Sequence, residues 1–382
     1  MFSVALVWQT LELSSSATTL ATVVLCRALP RVLFMLVGGV VSDRVSRKRV
    51  LIMSDLVQGG AVAVIATSAA LETLAVWHLI SMAIVVGTAE AFFFPTSTAI
   101  VPHLLTEENL LQGNALNTSS RLLVMDFLGP ALGGLIIAGA GSSAVAFGID
   151  AATFALSAAL LSRIRSIRAP SEPAGKVVDD LKEGFAFTRS QRWLWITLVS
   201  ASVGNFMLQA SVAVLIPLMA KESLGAGAAE LGAVFAAIGI GGGVAALVSS
   251  QVGVPRRRIL VMYGVWGVAG IFISGAGAAT SIPVLTLMMG GLGFCLESGN
   301  LLWESLIQTF IPRRMLGRVS SVDWMVSLAL QPVALAVAGP LAEAFGATTL
   351  LTVGGAAMAV SCTLGVTRRG VRDPEREVTL QL

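Results

Sequence analysis

Apolar runs of twenty or more residues recur along almost the whole of this 382-residue chain, and no other feature restricts its possible folds so tightly. A helix needs roughly 20 apolar residues to cross about 30 Å of hydrocarbon. Inside hydrocarbon every backbone N–H and C=O must find a partner within the protein, so such runs fold as a bundle of spanning helices. A transmembrane barrel is excluded, because its strands alternate apolar and polar over about 10 residues while these runs are continuously apolar. Only 12% of the residues are charged and the mean hydropathy is +0.84, against about 25% charged in a soluble domain. The chain is therefore an all-α polytopic membrane protein and not a soluble enzyme.

The punctuation between runs predicts eleven complete spans, near 17–41, 50–70, 74–100, 114–140, 143–163, 193–220, 228–249, 259–280, 282–310, 317–342 and 346–367, after a short apolar stub at 1–12. With the stub counted as the first span, the numbering runs to twelve. The stretch 164–192 is polar, contains Pro170 and Pro173, and ends in a segment that reads as a short amphipathic helix at the membrane surface. This gives an N-terminal bundle over 1–163, a cytoplasmic linker over 164–192, a C-terminal bundle over 193–367 and a cytoplasmic tail over 368–382.

Lys and Arg in short loops stay on the cytoplasmic side. Of the 25 basic residues, 21 fall on alternating connections: the 44–49 loop, the central linker, Arg256 to Arg258, Arg313 to Arg318, and the tail. The opposite loops carry only Lys221, and Arg27, Arg31 and Arg121 lie within spans. The C-terminus is accordingly expected in the cytoplasm, in a plasma membrane of the bacterial inner-membrane type. The net charge of +3 is scattered over these loops rather than gathered on one soluble face, so nucleic acid is not an expected partner. Cys26, Cys295 and Cys362 are far apart within apolar segments, and His78 and His103 have no ligand spacing, so neither a disulfide framework nor a metal site is indicated.

The two halves repeat. Arg47-Lys48-Arg49-Val50-Leu51-Ile52-Met53 returns as Arg256-Arg257-Arg258-Ile259-Leu260-Val261-Met262 at an offset of 209, and Ile100-Val101-Pro102 returns as Phe310-Ile311-Pro312 at 210. Parallel six-span repeats are a common plan of secondary transporters, with the substrate site at the midplane between halves. The same offset applied to the seventh span puts the start of the first about sixteen residues ahead of Met1. The first helix is thus expected to be truncated at its N-terminus, through a late start or a true loss.

At the end of the second span stands Gly39-Val40-Val41-Ser42-Asp43-Arg44-Val45-Ser46-Arg47-Lys48, which resembles the signature loop G-x-x-x-D-R-x-G-R-K of the major facilitator superfamily, with Ser46 in place of glycine. The resemblance implies the major facilitator fold of two six-helix parallel repeats, and a gate motif of Gly39, Asp43, Arg44 and Arg47 in which Asp43 and Arg44 lock a conformation. For Arg47, Lys48 and Arg49 the plainer reading, a topogenic charge cluster, is preferred. Gly129-Pro130-Ala131-Leu132-Gly133-Gly134 resembles the core of the superfamily's antiporter motif, although Leu116 and Met125 replace its upstream glycines. It implies export by exchange through Gly129, Pro130, Gly133 and Gly134, and its alternative is close helix contact with a kink. Phe94-Pro95, Asn114-Ala115-Leu116-Asn117, Gly148-Ile149-Asp150-Ala151, Trp303-Glu304-Ser305-Leu306 and Leu316-Gly317-Arg318-Val319 resemble the drug and siderophore exporter branch, which includes macrolide, tetracycline and enterobactin efflux proteins.

Ionisable residues within spans cost roughly 2.5 to 3.5 kcal/mol each and face a cavity or a partner. They are Arg27, Arg31, Glu90, Arg121, Asp126, Asp150, Glu297, Glu304 and Asp323. Arg27, Arg31 and Arg121 read first as buried charge partners across the second, fourth and fifth spans. In the tenth span Glu297, Asn300, Glu304 and Gln308 share one helical face, and Ser202, Asn205 and Gln209 repeat that pattern in the seventh. A stripe of this kind lines water. Proton-coupling candidates are Glu297, Asp126 and Glu90; cavity candidates are Phe94, Asn205, Gln209, Glu297, Asn300 and Glu304, with Glu304 expected to pair with Arg318 as a gate. Phe93 and Trp303 read as core or lipid-facing packing before aromatic cavity surface. Gly239-Ile240-Gly241-Gly242-Gly243 lies within a span with no preceding strand and is read as helix packing, not a dinucleotide loop. No phosphate-binding lysine motif or cofactor signature appears.

The expected function is secondary active transport, exporting small amphipathic or hydrophobic compounds by alternating access in exchange for protons, with no enzymatic activity. The partners are then a small-molecule substrate, protons and the lipid bilayer, for a chain expected to act as a monomer. The alternatives are a siderophore or lipid exporter of the same fold, and a non-transporting membrane partner or sensor.

Overall fold

The computed structural model describes residues 1–104, 116, 120–164 and 177–375. Its helices are α1 (Phe2–Leu13), α2 (Ala17–Arg44), α3 (Arg47–Ala70), α4 (Val76–Leu104), α5 (Gly129–Ala140), α6 (Ser143–Arg163), α7 (Val177–Ser190), α8 (Arg192–Ala210), α9 (Ile216–Glu222), α10 (Ala228–Val252), α11 (Arg258–Gly277), α12 (Ile282–Phe310), α13 (Leu316–Ala329), α14 (Gln331–Phe345) and α15 (Ala347–Thr367). Among the described residues, eleven helical runs are long and apolar enough to cross a membrane, one at each predicted span; residues 114, 115 and 117–119 of the predicted span 114–140 lie outside the described residues.

Local chemistry sets the ends of these helices. The Ser16 hydroxyl accepts from Thr19 N–H at 3.2 Å and starts α2, the Ser142 hydroxyl accepts from Ala144 N–H and starts α6, and His78 Nδ1 accepts from Ala75 N–H before α4. Such caps satisfy amide donors that a helix leaves without partners at its N-terminus. Gly141 ends α5 with a φ of +65°, in the left-handed region that favours glycine.

Two of the long runs are not α-helical throughout. A π-helical segment, Arg121–Leu128, leads into α5, and another, Ser211–Leu215, joins α8 to α9. Each runs directly into an X-Pro step, Gly129-Pro130 or Ile216-Pro217. Proline has no N–H and its ring crowds the carbonyl four residues back, so the helix widens locally. The eleventh span breaks at Leu330, with Gln331-Pro332 opening α14.

The chain divides into two units. The first comprises Met1–Ala174 with Ala226–Ala233, and the second Gly175–Gly225 with Val234–Leu382. In the first, α2 packs along α4 and α3 packs against α6, around Val62, Ile65, Leu79, Val86 and Phe147. Glycines permit the close approach: a Cβ on Gly87 would overlap the backbone of Arg27, and one on Gly38 the backbone of Ala91. In the second unit α11 packs against α15 and α12, around Trp193, Leu194, Tyr263, Trp303 and Val319. There α10 meets α12 at Gly241 and Gly293, where a Cβ would strike the carbonyls of Gly290 and Ile238. The glycine run 239–243 is thus part of a helix contact.

The linker helix α7 packs within the second unit: Phe185 meets Trp195 edge to face at 5.7 Å, and Gly184 lies against the backbone of Arg318.

Candidate transport site

Each unit carries its own set of polar groups at membrane depth. In the first, Arg27 of α2 donates to Glu90 Oε1 of α4 through Nη2 at 2.5 Å and Nε at 3.2 Å, and Arg31 Nη1 stands 3.8 Å from Glu90 Oε2. The Glu90 side chain is 7% exposed. Arg27 also donates to Ser3 Oγ at 3.1 Å and lies 4.8 Å from the centre of the Phe2 ring. The buried Asp150 accepts from Phe2 N–H and acts electrostatically on Arg27. The expected charge pairing is present between the second and fourth spans. The Arg121 side chain, like those of Asp43 and Arg44, lies outside the described residues. Asp126 is half-buried within the π segment, and the neighbouring rings of Phe93 and Phe94 meet edge to face at 6.2 Å.

The antiporter-like motif has a packing account. A Cβ on Gly133 would press on Met1, and one on Gly134 on Ala228 and Gly232, while Gly232 in turn lies against Gly134 and the carbonyl of Pro130. These contacts lie within the first unit. Of the gate motif, Gly39 sits in α2 at a point where a Cβ would meet no other atom within 4 Å, and Arg47 is buried at the start of α3. Lys48, preferred as a topogenic charge, does more: Nζ donates to the carbonyls of Ser162 and Ile164, both at 2.6 Å. A cation at the C-terminus of α6 satisfies orphan carbonyls and complements the helix dipole.

In the second unit the tenth-span stripe is half-buried at Glu297 and exposed at Asn300, Glu304 and Gln308. Glu297 packs with its Cβ beside Gly242 of α10. Arg318 does not serve Glu304 as expected; its Nη1 donates to Glu183 of α7 at 2.5 Å. Glu183 adjoins Gly184, which rests on the Arg318 backbone and so brings the carboxylate of α7 to the start of α13. Trp303 belongs to the core, 9% exposed, and its Nε1 donates to Asp323 Oδ2 at 3.0 Å. In the seventh span the Ser202 hydroxyl bonds the carbonyls of Leu198 and Val326, Asn205 is half-buried, and Gln209 Oε1 accepts from Gln331 Nε2 at 3.1 Å.

Three buried polar groups are not singled out by the sequence. Asp55, nine residues into the third span, is 2% exposed and is bonded by the Ser157 hydroxyl. Gln331 required the partner across the fold to be noticed. Glu375, in the tail, accepts from the first amide of the ninth span, Ile259 N–H, and is held by Arg372 Nε at 3.4 Å. Only Asp55 had a signal in the sequence, a lone carboxylate in an apolar run.

Comparison with known proteins places these sets in context. Residues 1–378 match the model of the major facilitator family described as transmembrane secretion effector. The multidrug efflux pump Tap of Mycolicibacterium fortuitum is 26% identical over 357 residues, which cover 90% of this chain and 85% of Tap. The enterobactin exporter EntS of Shigella boydii serotype 18 is 28% identical over 301 residues, covering 75% and 68% respectively. Among solved structures, nucleoside transporter NupG superposes with a TM-score of 0.69 at 12% identity, over 96% of both chains. A POT family transporter bound to a thioalcohol-conjugated peptide superposes with 0.72 at 12% identity, over 95% of this chain and 92% of that one. At such identities these structures establish the fold, that of two parallel six-helix repeats.

Proposed function

This chain belongs to the transmembrane secretion effector family of major facilitator proteins, and from that footing we propose that it exports small amphipathic or hydrophobic compounds across the plasma membrane in exchange for protons. The observation that carries the reading is the family match along residues 1–378, joined by relatives that are themselves an efflux pump and a siderophore exporter. The chain is a secondary transporter: it binds cargo on one side of the membrane, changes conformation and releases it on the other.

Coupling to protons rests on carboxylates held at membrane depth. Glu90 is already compensated by two arginines, so a proton arriving there competes with cations for the same oxygens. Glu297 stands half-buried on a helix face that continues into exposed Asn300 and Glu304, an arrangement suited to meeting water and cargo in turn. We assign the coupling step to Glu297 first, with Asp126 and Glu90 behind it. The gate is assigned to the loop from Asp43 to Arg47, the chain acts as a monomer, and its C-terminus lies in the cytoplasm. The relationship to EntS favours a siderophore as the second class of cargo, since 28% identity extends over three quarters of this chain.

The test is movement of fluorescent lipophilic dyes, and separately of a catecholate siderophore, in vesicles with an imposed pH gradient, with the wild-type chain beside Glu297→Gln. Gradient-driven export that the variant loses supports both the antiport and its seat at Glu297. Export of equal size with and without the gradient overturns proton coupling. Failure to move any cargo by correctly inserted protein overturns the export reading.

A further inference from the structure

The seventh and eleventh spans are both interrupted near their midpoints, and the interruptions meet. The first runs from Arg192 to Glu222 and the second from Leu316 to Phe345. Gln209 stands just before the π segment of one, and Gln331 opens the second half of the other. Their carboxamides join, Gln331 Nε2 to Gln209 Oε1 at 3.1 Å. Irregular backbone at this depth persists only where protein buries it or a water-filled cavity receives it, and broken helices of this kind form the binding sites of many transporters. The surrounding groups are satisfied locally: the Ser211 hydroxyl takes the Met207 carbonyl at 2.8 Å, and Ser202 ties the two spans again at the carbonyl of Val326.

A carboxamide has two donors on nitrogen and two lone pairs on oxygen. Gln331 is 7% exposed and fixes the oxygen of Gln209. The half-buried Gln209 thereby keeps both Nε2 hydrogens, for which no described residue is an acceptor. Amide donors left open at membrane depth need an acceptor.

We propose that Gln331 is a positioning residue for cargo recognition: it holds the Gln209 carboxamide so that its NH₂ group is offered to a hydrogen-bond acceptor on the cargo, a carbonyl, ether or hydroxyl oxygen. The inference rests on the export reading above and refines it. The site selects for acceptor-bearing amphiphiles over cations of similar size and lipophilicity that lack oxygen.

Two fluorescent lipophilic cations separate these classes: rhodamine 6G carries an ester carbonyl, and ethidium has no oxygen atom. Initial rates of export against dye concentration are measured in vesicles for the wild type, Gln209→Met, Gln331→Met and the double variant, each near-isosteric and each checked for monodispersity in detergent. Loss of one neutral hydrogen bond, about 0.5 to 1.5 kcal/mol, raises the half-saturating concentration of rhodamine 6G roughly twofold to twelvefold. The half-saturating concentration of ethidium shifts clearly less than that of rhodamine 6G, and the double variant is no worse than Gln209→Met alone, because the two residues act through one group. Equal effects on both dyes, additive losses, or a wild type that moves ethidium but not rhodamine 6G overturn the proposal. A wild type that moves neither dye overturns the export reading itself for this class of cargo, and the recognition role with it.

Discussion

Glu90 is compensated by two arginines, and the two are unequal. Arg27 contributes two bonds to one oxygen, the shorter at 2.5 Å, and adds contacts to Ser3 and Phe2, whereas Arg31 approaches the other oxygen at 3.8 Å. Removing one partner of a buried pair leaves a charge without its counter-ion, which costs about 3 to 5 kcal/mol. Arg27→Leu is expected to lose an amount of that order in detergent-solubilised protein unfolded by increasing denaturant, and Arg31→Leu clearly less. Equal losses would mean that the two cations share Glu90 evenly. That charges would meet within the membrane was legible from their cost there; which charges meet was not. Arg318 shows why: spacing along the chain favoured Glu304, yet Glu183 lies closer once α7 folds back on α13. Lys48 and Glu375 carry the same lesson, since each caps the end of a helix remote in sequence, at Ile164 and at Ile259.

Helices were legible as elements because a run of apolar residues needs no partner to declare its length. Their interruptions were less so. Pro30 and Pro340 sit inside unbroken helices, while Pro130, Pro217 and Pro332 stand at breaks, so the presence of a proline does not by itself tell the two cases apart. Contacts between elements rest on glycines that look alike in sequence and differ in what surrounds them. A Cβ at Gly87 meets the backbone of Arg27, and one at Gly241 meets that of Gly290, whereas one at Gly264 meets nothing within 4 Å. Gly87→Ala and Gly241→Ala are therefore expected to destabilise by about 1 to 3 kcal/mol through overpacking, and Gly264→Ala to be tolerated; thermal unfolding of the three side by side checks the order. The linker helix offers a separate test. Its ion pair is exposed and worth about 0 to 1 kcal/mol, but Gly184 rests on the Arg318 backbone. Gly184→Leu should free α7 and expose the linker to limited proteolysis, while Glu183→Gln should leave the cleavage pattern unchanged.

For the whole molecule, the repeat at an offset of 209 carries architecture but not chemistry. Glycine-mediated contacts join the second span to the fourth and the eighth to the tenth. Yet the positions that hold Arg27 and Glu90 in the first unit are occupied at that offset by Ala236 and Gly299, and a Cβ on Gly299 would overlap the Trp266 indole. The Arg27–Glu90 pair thus has no counterpart at its repeat positions in the second unit, where an indole fills the space instead. The alternation of basic residues, 21 of the 25 on every second connection in both halves, predicts one orientation, with those connections in the cytoplasm. Cys26, Cys295 and Cys362 all lie within spanning helices, the latter two buried, so a membrane-impermeant maleimide should leave the native chain unlabelled in intact cells. In a Cys26→Ala background, Glu72→Cys, in the turn between α3 and α4 where it is exposed, should label from outside. Arg368→Cys, just beyond α15 and also exposed, should label only after the membrane is opened. Labelling of Arg368→Cys in intact cells would invert the orientation. The direction in which cargo is driven relative to the pH gradient would then have to be reassigned, because the same alternating-access cycle viewed from the other side is uptake.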